Sequence, residues 1–173
     1  MSKKIHAAIR WTTIGCLMVV VALSTVWAAQ TYHASKVIKK GGGGTIYVAP
    51  DLLNLLGVLD RVTAEIPPGA LDVYMNEKGI KSVEITVDMT EERVYRDDGS
   101  SYYRLEFHFG PSGAYFNPPL QLKLMGKYVN QGSEVWLYDE NGERLEGTRY
   151  DLLDRIIFEI PHFSRYSYDD YSY

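Results

Sequence analysis

Val83-Glu84-Ile85-Thr86-Val87-Asp88-Met89 alternates apolar with polar side chains. A strand's period of two puts Val83, Ile85, Val87 and Met89 on one face, whereas a helix would scatter them around its circumference. The pattern recurs outward in both directions. Val62, Ala64 and Ile66 alternate with Thr63 and Glu65; Tyr103, Leu105, Phe107 and Phe109 alternate with Arg104, Glu106 and His108. Leu120, Leu122 and Leu124 alternate with Gln121 and Lys123, and Ile156, Phe158 and Ile160 with Arg155 and Glu159. Each segment has one face to bury.

Turn chemistry separates these runs: Pro67-Pro68-Gly69, Asp97-Asp98-Gly99, Gly110-Pro111-Ser112-Gly113, Asn117-Pro118-Pro119 and Asn141-Gly142. Short strands punctuated in this way, with no succession of βαβ units, predict an all-β fold: an antiparallel β-sandwich with at most one short helix. The candidate helix is Asp51–Leu59, where an aspartate precedes clustered leucines; a buried strand approach broken at Gly57 reads equally well. No repeat of 20 to 50 residues is present.

Lys3, Lys4 and Arg10 precede an apolar run from Ile14 to Ala29, and Val26-Trp27-Ala28 offers an Ala-containing exit. Residues 1–28 are therefore read as a secretory signal, with an uncleaved anchor across Trp11–Ala29 as the alternative. Residues 29–42 run into the four glycines Gly41–Gly44 and are expected to form a flexible tether. The sandwich is placed at 43–168 and a Tyr-rich tail at 169–173. The chain is 173 residues long, 46% hydrophobic and 23% charged, which excludes disorder for its bulk. Its formal charge of -4 argues against nucleic acid as a partner. Removing residues 1–28 takes away three basic residues and no acid, so the mature chain is more acidic still. Cys16, the only cysteine, leaves with it, and the fold must be held by its core.

Three motifs carry a resemblance. Val62-Thr63-Ala64-Glu65-Ile66-Pro67-Pro68-Gly69-Ala70-Leu71 resembles the opening "v-x-I-P-x-G-A-l" of the ZU-five domain, the β-sandwich of ankyrins, tight-junction scaffold proteins and netrin receptors. Phe109-Gly110-Pro111-Ser112-Gly113-Ala114-Tyr115-Phe116-Asn117-Pro118-Pro119-Leu120 is similar to its F-G-P-x-G-x-x-F-x-x-P motif. Ile160-Pro161-His162-Phe163-Ser164-Arg165-Tyr166 looks like its closing h-F-S-x-[YF] strand. The resemblance covers roughly Gly43 to Tyr168 and implies a scaffolding module. It also implies a chemical alternative, since some members break the peptide bond before the serine of the last motif with help from a histidine. Here that bond is Phe163-Ser164, with Ser164 as nucleophile and His162 as proton carrier; the competing reading makes Phe163 a core anchor and Ser164 a plain strand hydroxyl.

The proline pairs cannot donate to a central ladder and are expected at strand edges or turns. Asp139-Glu140-Asn141-Gly142-Glu143 is too short for a complete calcium loop and reads as a hairpin turn. His33, His108 and His162 lack metal-ligand spacing, so neither metal nor cofactor is expected. No nucleotide or hydrolase motif occurs. Tyr166, Tyr168, Tyr171 and Tyr173 are candidate contact residues, or else a strand end fading into a solvated tail. An outer-membrane barrel is contradicted by the proline pairs and polar outer faces. The expectation is a non-enzymatic exported module that binds another protein or a surface component of the cell envelope, free of the membrane once the signal is removed.

Overall fold

Every strand pairing in the computed structural model is antiparallel; the structure describes residues 29–49, 52–53, 59–129, 136–150 and 154–169. In chain order the first strands are β1 (Gln30–Lys39), β2 (Gly44–Tyr47), β3 (Leu52–Leu53), β4 (Leu59–Ile66), β5 (Ser82–Tyr95) and β6 (Ser101–Gly110). There follow β7 (Tyr115–Met125), β8 (Trp136–Asp139), β9 (Arg144–Glu146), β10 (Thr148–Tyr150), β11 (Arg155–His162) and β12 (Arg165–Tyr168). A helix, α1 (Asp72–Lys78), lies between β4 and β5, and a 3-10 turn, Gly126–Tyr128, follows β7. One sheet runs β1-β5-β6-β12-β8-β9 and the other β10-β11-β7-β4-β2, with β3 paired to β4.

The sandwich expected from the alternating segments is the architecture found. Val62 and Ala64, Ile85, Val87 and Met89, Leu105 and Phe107, Leu120, Leu122 and Leu124, and Ile156, Phe158 and Ile160 are all 0% exposed. Each large apolar side chain in this layer stabilises the fold by about 1.5–3 kcal/mol. Asn141-Gly142 makes the β8–β9 hairpin, with Gly142 at φ 80°.

Three expectations need correction. The tether is instead β1, which pairs with β5 over its whole length, from Gln30↔Glu91 to Lys39↔Ser82. Its period is masked because Lys36 occupies a position of the inner series Tyr32, Ala34 and Ile38; the Lys36 ammonium escapes burial by donating to the Thr45 carbonyl at 3.2 Å. The glycine run is a tight corner. Gly41 N–H donates to Asp72 Oδ1 at 2.6 Å, Gly42 accepts from Gly69 N–H at 3.1 Å, and a β-carbon on Gly43 would meet Pro68 N at 2.7 Å.

The helix is also elsewhere. Within Asp51–Leu59, Leu52 and Leu53 form β3, and residues 54–58 lie outside those described. The helix at Asp72–Lys78 buries only Tyr74 and Met75, too few to leave a period of 3.6; Asp72 in its first turn, Lys78 in its last and Gly79 at φ 66° complete it. Pro118 and Pro119 sit within β7 rather than at its edge, opposite the irregularity between Ile160 and His162 where the ladder is already interrupted.

The end of the sandwich where β1 begins is closed by a polar plug. Glu91, 9% exposed, accepts from the Tyr128 hydroxyl at 2.7 Å and from the Lys127 ammonium at 3.2 and 3.3 Å. That ammonium lies 4.7 Å from the ring centroids of both Tyr103 and Tyr128. Asp60 accepts from Lys127 N–H at 2.8 Å. Burial first, then the Glu91 carboxylate, pushes the Tyr128 hydroxyl far above its ordinary range.

Two predictions follow from the corner and the plug. Gly43→Ala lowers stability by about 1–3 kcal/mol in urea unfolding, because the corner cannot admit a methyl group; a tether glycine would tolerate the change. The raised Tyr128 pKa stabilises the fold fully below pH 10, and this contribution is lost as pH rises and the unfolded chain ionises first. The fall in melting temperature between pH 9 and 11 is therefore smaller in Tyr128→Phe than in the parent.

Candidate functional site

The end of the sandwich opposite the plug gathers all three motifs. β11 leaves the second sheet at His162, which pairs with Tyr115, and β12 enters the first at Arg165, which pairs with His108. Phe163-Ser164 is thus a two-residue crossing between sheets, and both residues are buried at 6% exposure. Phe163 N–H donates to the Ala114 carbonyl at 2.8 Å, and the Ser164 carbonyl accepts from Phe109 N–H at 3.2 Å. The Phe163 ring meets Phe116 edge-on at 4.6 Å and stacks on Phe109 at 6.3 Å. Asn117 N–H donates to the Ala70 carbonyl at 2.8 Å, bringing in the first motif.

The geometry around the serine differs from that of a nucleophile with its base. The Ser164 hydroxyl is buried without a hydrogen-bond partner. His162 is engaged elsewhere: its carbonyl accepts the Tyr166 hydroxyl proton at 2.9 Å, and its Nδ1 lies 3.2 Å from the same oxygen. The hydroxyl has one proton to give, so the carbonyl and Nδ1 share a single tyrosine oxygen as their neighbour. His162 and Ser164 are neighbours without being hydrogen-bonded.

The tyrosine strip divides. Tyr166 and Tyr168, offered as contact residues, are 0% and 1% exposed, so they belong to the core; Tyr171 and Tyr173 lie outside the described residues. Burial, then the Asp139 and Glu140 carboxylates, pushes the Tyr166 hydroxyl up. The Asp139 carboxylate serves its own turn, accepting from the backbone amides of Glu143 at 2.8 Å and Asn141 at 2.9 Å. Burial acts to raise its pKa, but these bonds hold it below the usual carboxylate range. No set of residues suited to holding a metal ion occurs among the described residues.

Pairing places a different group of exposed and half-buried side chains on one hairpin. β1 stops pairing at Glu91 and β12 at Leu105, so Glu92–Tyr95 and Ser101–Arg104 pair only with each other among the described residues, as an arm beyond the sheet. Arg104 braces its base through Asp169 at 2.9 Å and Glu92 at 3.2 Å. At the tip, Asp98 Oδ1 accepts from the Ser100 hydroxyl at 2.6 Å and its amide at 2.9 Å, holding that carboxyl below its usual range. Tyr95, 55% exposed, carries the Arg93 guanidinium 5.2 Å from its ring centroid, and Arg96 lies 4.8 Å from that of Tyr102. The sequence marked the Asp97-Asp98-Gly99 turn but not the arm; the aromatic residues on both sides of the turn were the available signal.

Across the outer face of the same sheet the register aligns His33, Asp88, His108 and Arg165 in one row. His33 Nδ1 is 2.6 Å from Asp88 Oδ1, an exposed pair of small energetic weight. No helix among the described residues is long and apolar enough to cross a membrane. Comparisons with family models, curated proteins and solved structures return no match.

The crossing makes a prediction about chain integrity. Intact-mass spectrometry shows Phe163-Ser164 unbroken; Phe163→Ala costs about 3–5 kcal/mol through the cavity it leaves. Ser164→Ala is neutral or stabilising by about 1 kcal/mol, since it removes a buried hydroxyl that lacks a partner.

Proposed function

We propose that this chain is a non-enzymatic, exported β-sandwich that binds another protein or surface component of the cell envelope, with the β5–β6 arm as its contact element. One observation carries this reading: the arm holds Arg93 against Tyr95 and Arg96 against Tyr102 beyond the last flanking strand pairs. Tyrosine and arginine dominate interface hot spots because they supply large contact area, and stacking already restricts the guanidinium before a partner arrives. Export rests on the N-terminal basic and apolar pattern, and the ZU-five resemblance points to the same scaffolding class.

Self-processing at Phe163-Ser164 is the second reading. It is favoured by the Ser164 hydroxyl, which no hydrogen bond restrains, and opposed by the engagement of His162 with Tyr166. A ten-residue fragment beginning at Ser164, lost in both Ser164→Ala and His162→Ala, would promote it.

Photocrosslinking in intact cells tests the interaction. A photoreactive residue in place of Tyr95 gives a discrete adduct, while one in place of Tyr47, exposed on the other sheet, does not. Truncating Arg93 and Tyr102 to alanine weakens capture by about 2 kcal/mol, roughly thirtyfold. Equal adducts at both positions, or capture indifferent to the truncations, defeats the assignment.

A further inference from the structure

A hollow of about 420 Å³ opens at the end of the sandwich remote from the arm, lined by Lys39, Lys40, Met75, Asn76, Ile80 and Lys81. The Lys81 carbonyl accepts from Lys40 N–H at 3.0 Å, which ties its two basic walls together. The Lys40 ammonium is held by the Asn76 side-chain oxygen. Among the described residues, the ammonium groups of Lys39 and Lys81 make no ion pair or hydrogen bond. Lys36 and Lys78 stand in the same two segments, 36–40 and 76–81, whose one acid, Glu77, already accepts the Tyr115 hydroxyl at 2.8 Å. This is a positive island on an acidic protein.

Lysines near a helix C-terminus commonly answer its carbonyls. Here Gly79 N–H donates to Asn76 O at 3.2 Å and Ile80 N–H to Met75 O at 3.0 Å, so backbone amides already serve those two carbonyls. The cations are left for something else. We propose that the hollow binds a compact polyanion whose clustered phosphate or carboxylate oxygens meet Lys39 and Lys81 together, with Lys40 at the rim. Its volume suits a small ligand. β1 separates the hollow from the apolar N-terminal run by ten residues, about 33 Å of strand. The ligand proposed is a soluble polyanion of the surrounding compartment, and the vesicle arm of the test distinguishes it from a lipid headgroup. The site is independent of the arm and of its partner.

The test uses the full chain in uncharged detergent, titrated calorimetrically with inorganic tripolyphosphate and, separately, citrate; vesicles of phosphatidylglycerol form a third arm. Saturable one-site binding of either soluble polyanion is expected, weakening as salt is raised. Lys39→Gln with Lys81→Gln weakens it about tenfold, whereas Arg144→Gln with Arg165→Gln, which removes two exposed charges elsewhere, leaves it within about twofold; both variants keep the parental melting temperature. Which soluble probe binds more tightly identifies phosphate or carboxylate as the preferred source. Equal loss in both double variants, absence of saturable binding, or binding to the vesicles alone overturns the proposal.

Discussion

The packing of Phe163 at the crossing between β11 and β12 is the constraint on which the two sheets depend. β12 sits between β6 and β8 in one sheet, while β11 borders β7 in the other, and the two-residue passage is one of the places where the chain crosses from sheet to sheet, as it also does between β6 and β7. The ring is clamped by Phe109 and Phe116, and the backbone on either side of the Phe163-Ser164 bond is hydrogen-bonded to the β6–β7 connection and to β6 itself. The three motifs of the ZU-five resemblance thus meet at one structural knot. Their glycines, prolines and aromatics are accounted for by packing before any chemistry is invoked.

What was legible in the sequence was whatever repeats. The alternation in β4, β5, β6, β7 and β11 marks faces buried by many neighbours, so the pattern survives at each position. β1 was obscured because a single inward lysine breaks its period, and that lysine is satisfied by a carbonyl of a different strand, Thr45. α1 was obscured because a short helix needs little apolar surface to dock. The lysine hollow was illegible for another reason: it joins segments distant in sequence, Lys40 to Lys81, and only the fold brings them together. The arm is a local hairpin whose turn was read, but its extent is set by where β1 and β12 stop pairing, which no local pattern gives. The tyrosine strip misled in the opposite direction, since strand parity continues through Tyr166 and Tyr168 into the core.

The two ends of the sandwich solve different electrostatic problems. At the plug, Glu91 is buried and the cation beside it also lies against two aromatic rings, so charge is neutralised inside the protein. At the lysine hollow Lys40 is held by Asn76, while the ammonium groups of Lys39 and Lys81 face outward without protein partners among the described residues. Acidic composition averaged over the chain conceals this polarity, and a net charge would not anticipate it.

β1 is a sheet edge ten residues long without a proline, the kind of edge on which another unfolded copy can add as a further strand. Lys36 changes what such an addition costs. It points inward at the open corner between the sheets, and a neighbouring strand laid along β1 would have to displace its bond to Thr45 or bury its charge. A crowded population of newly made chains would meet this barrier to polymerisation at β1. The residue that hides the strand from the reader also keeps it from other copies of itself.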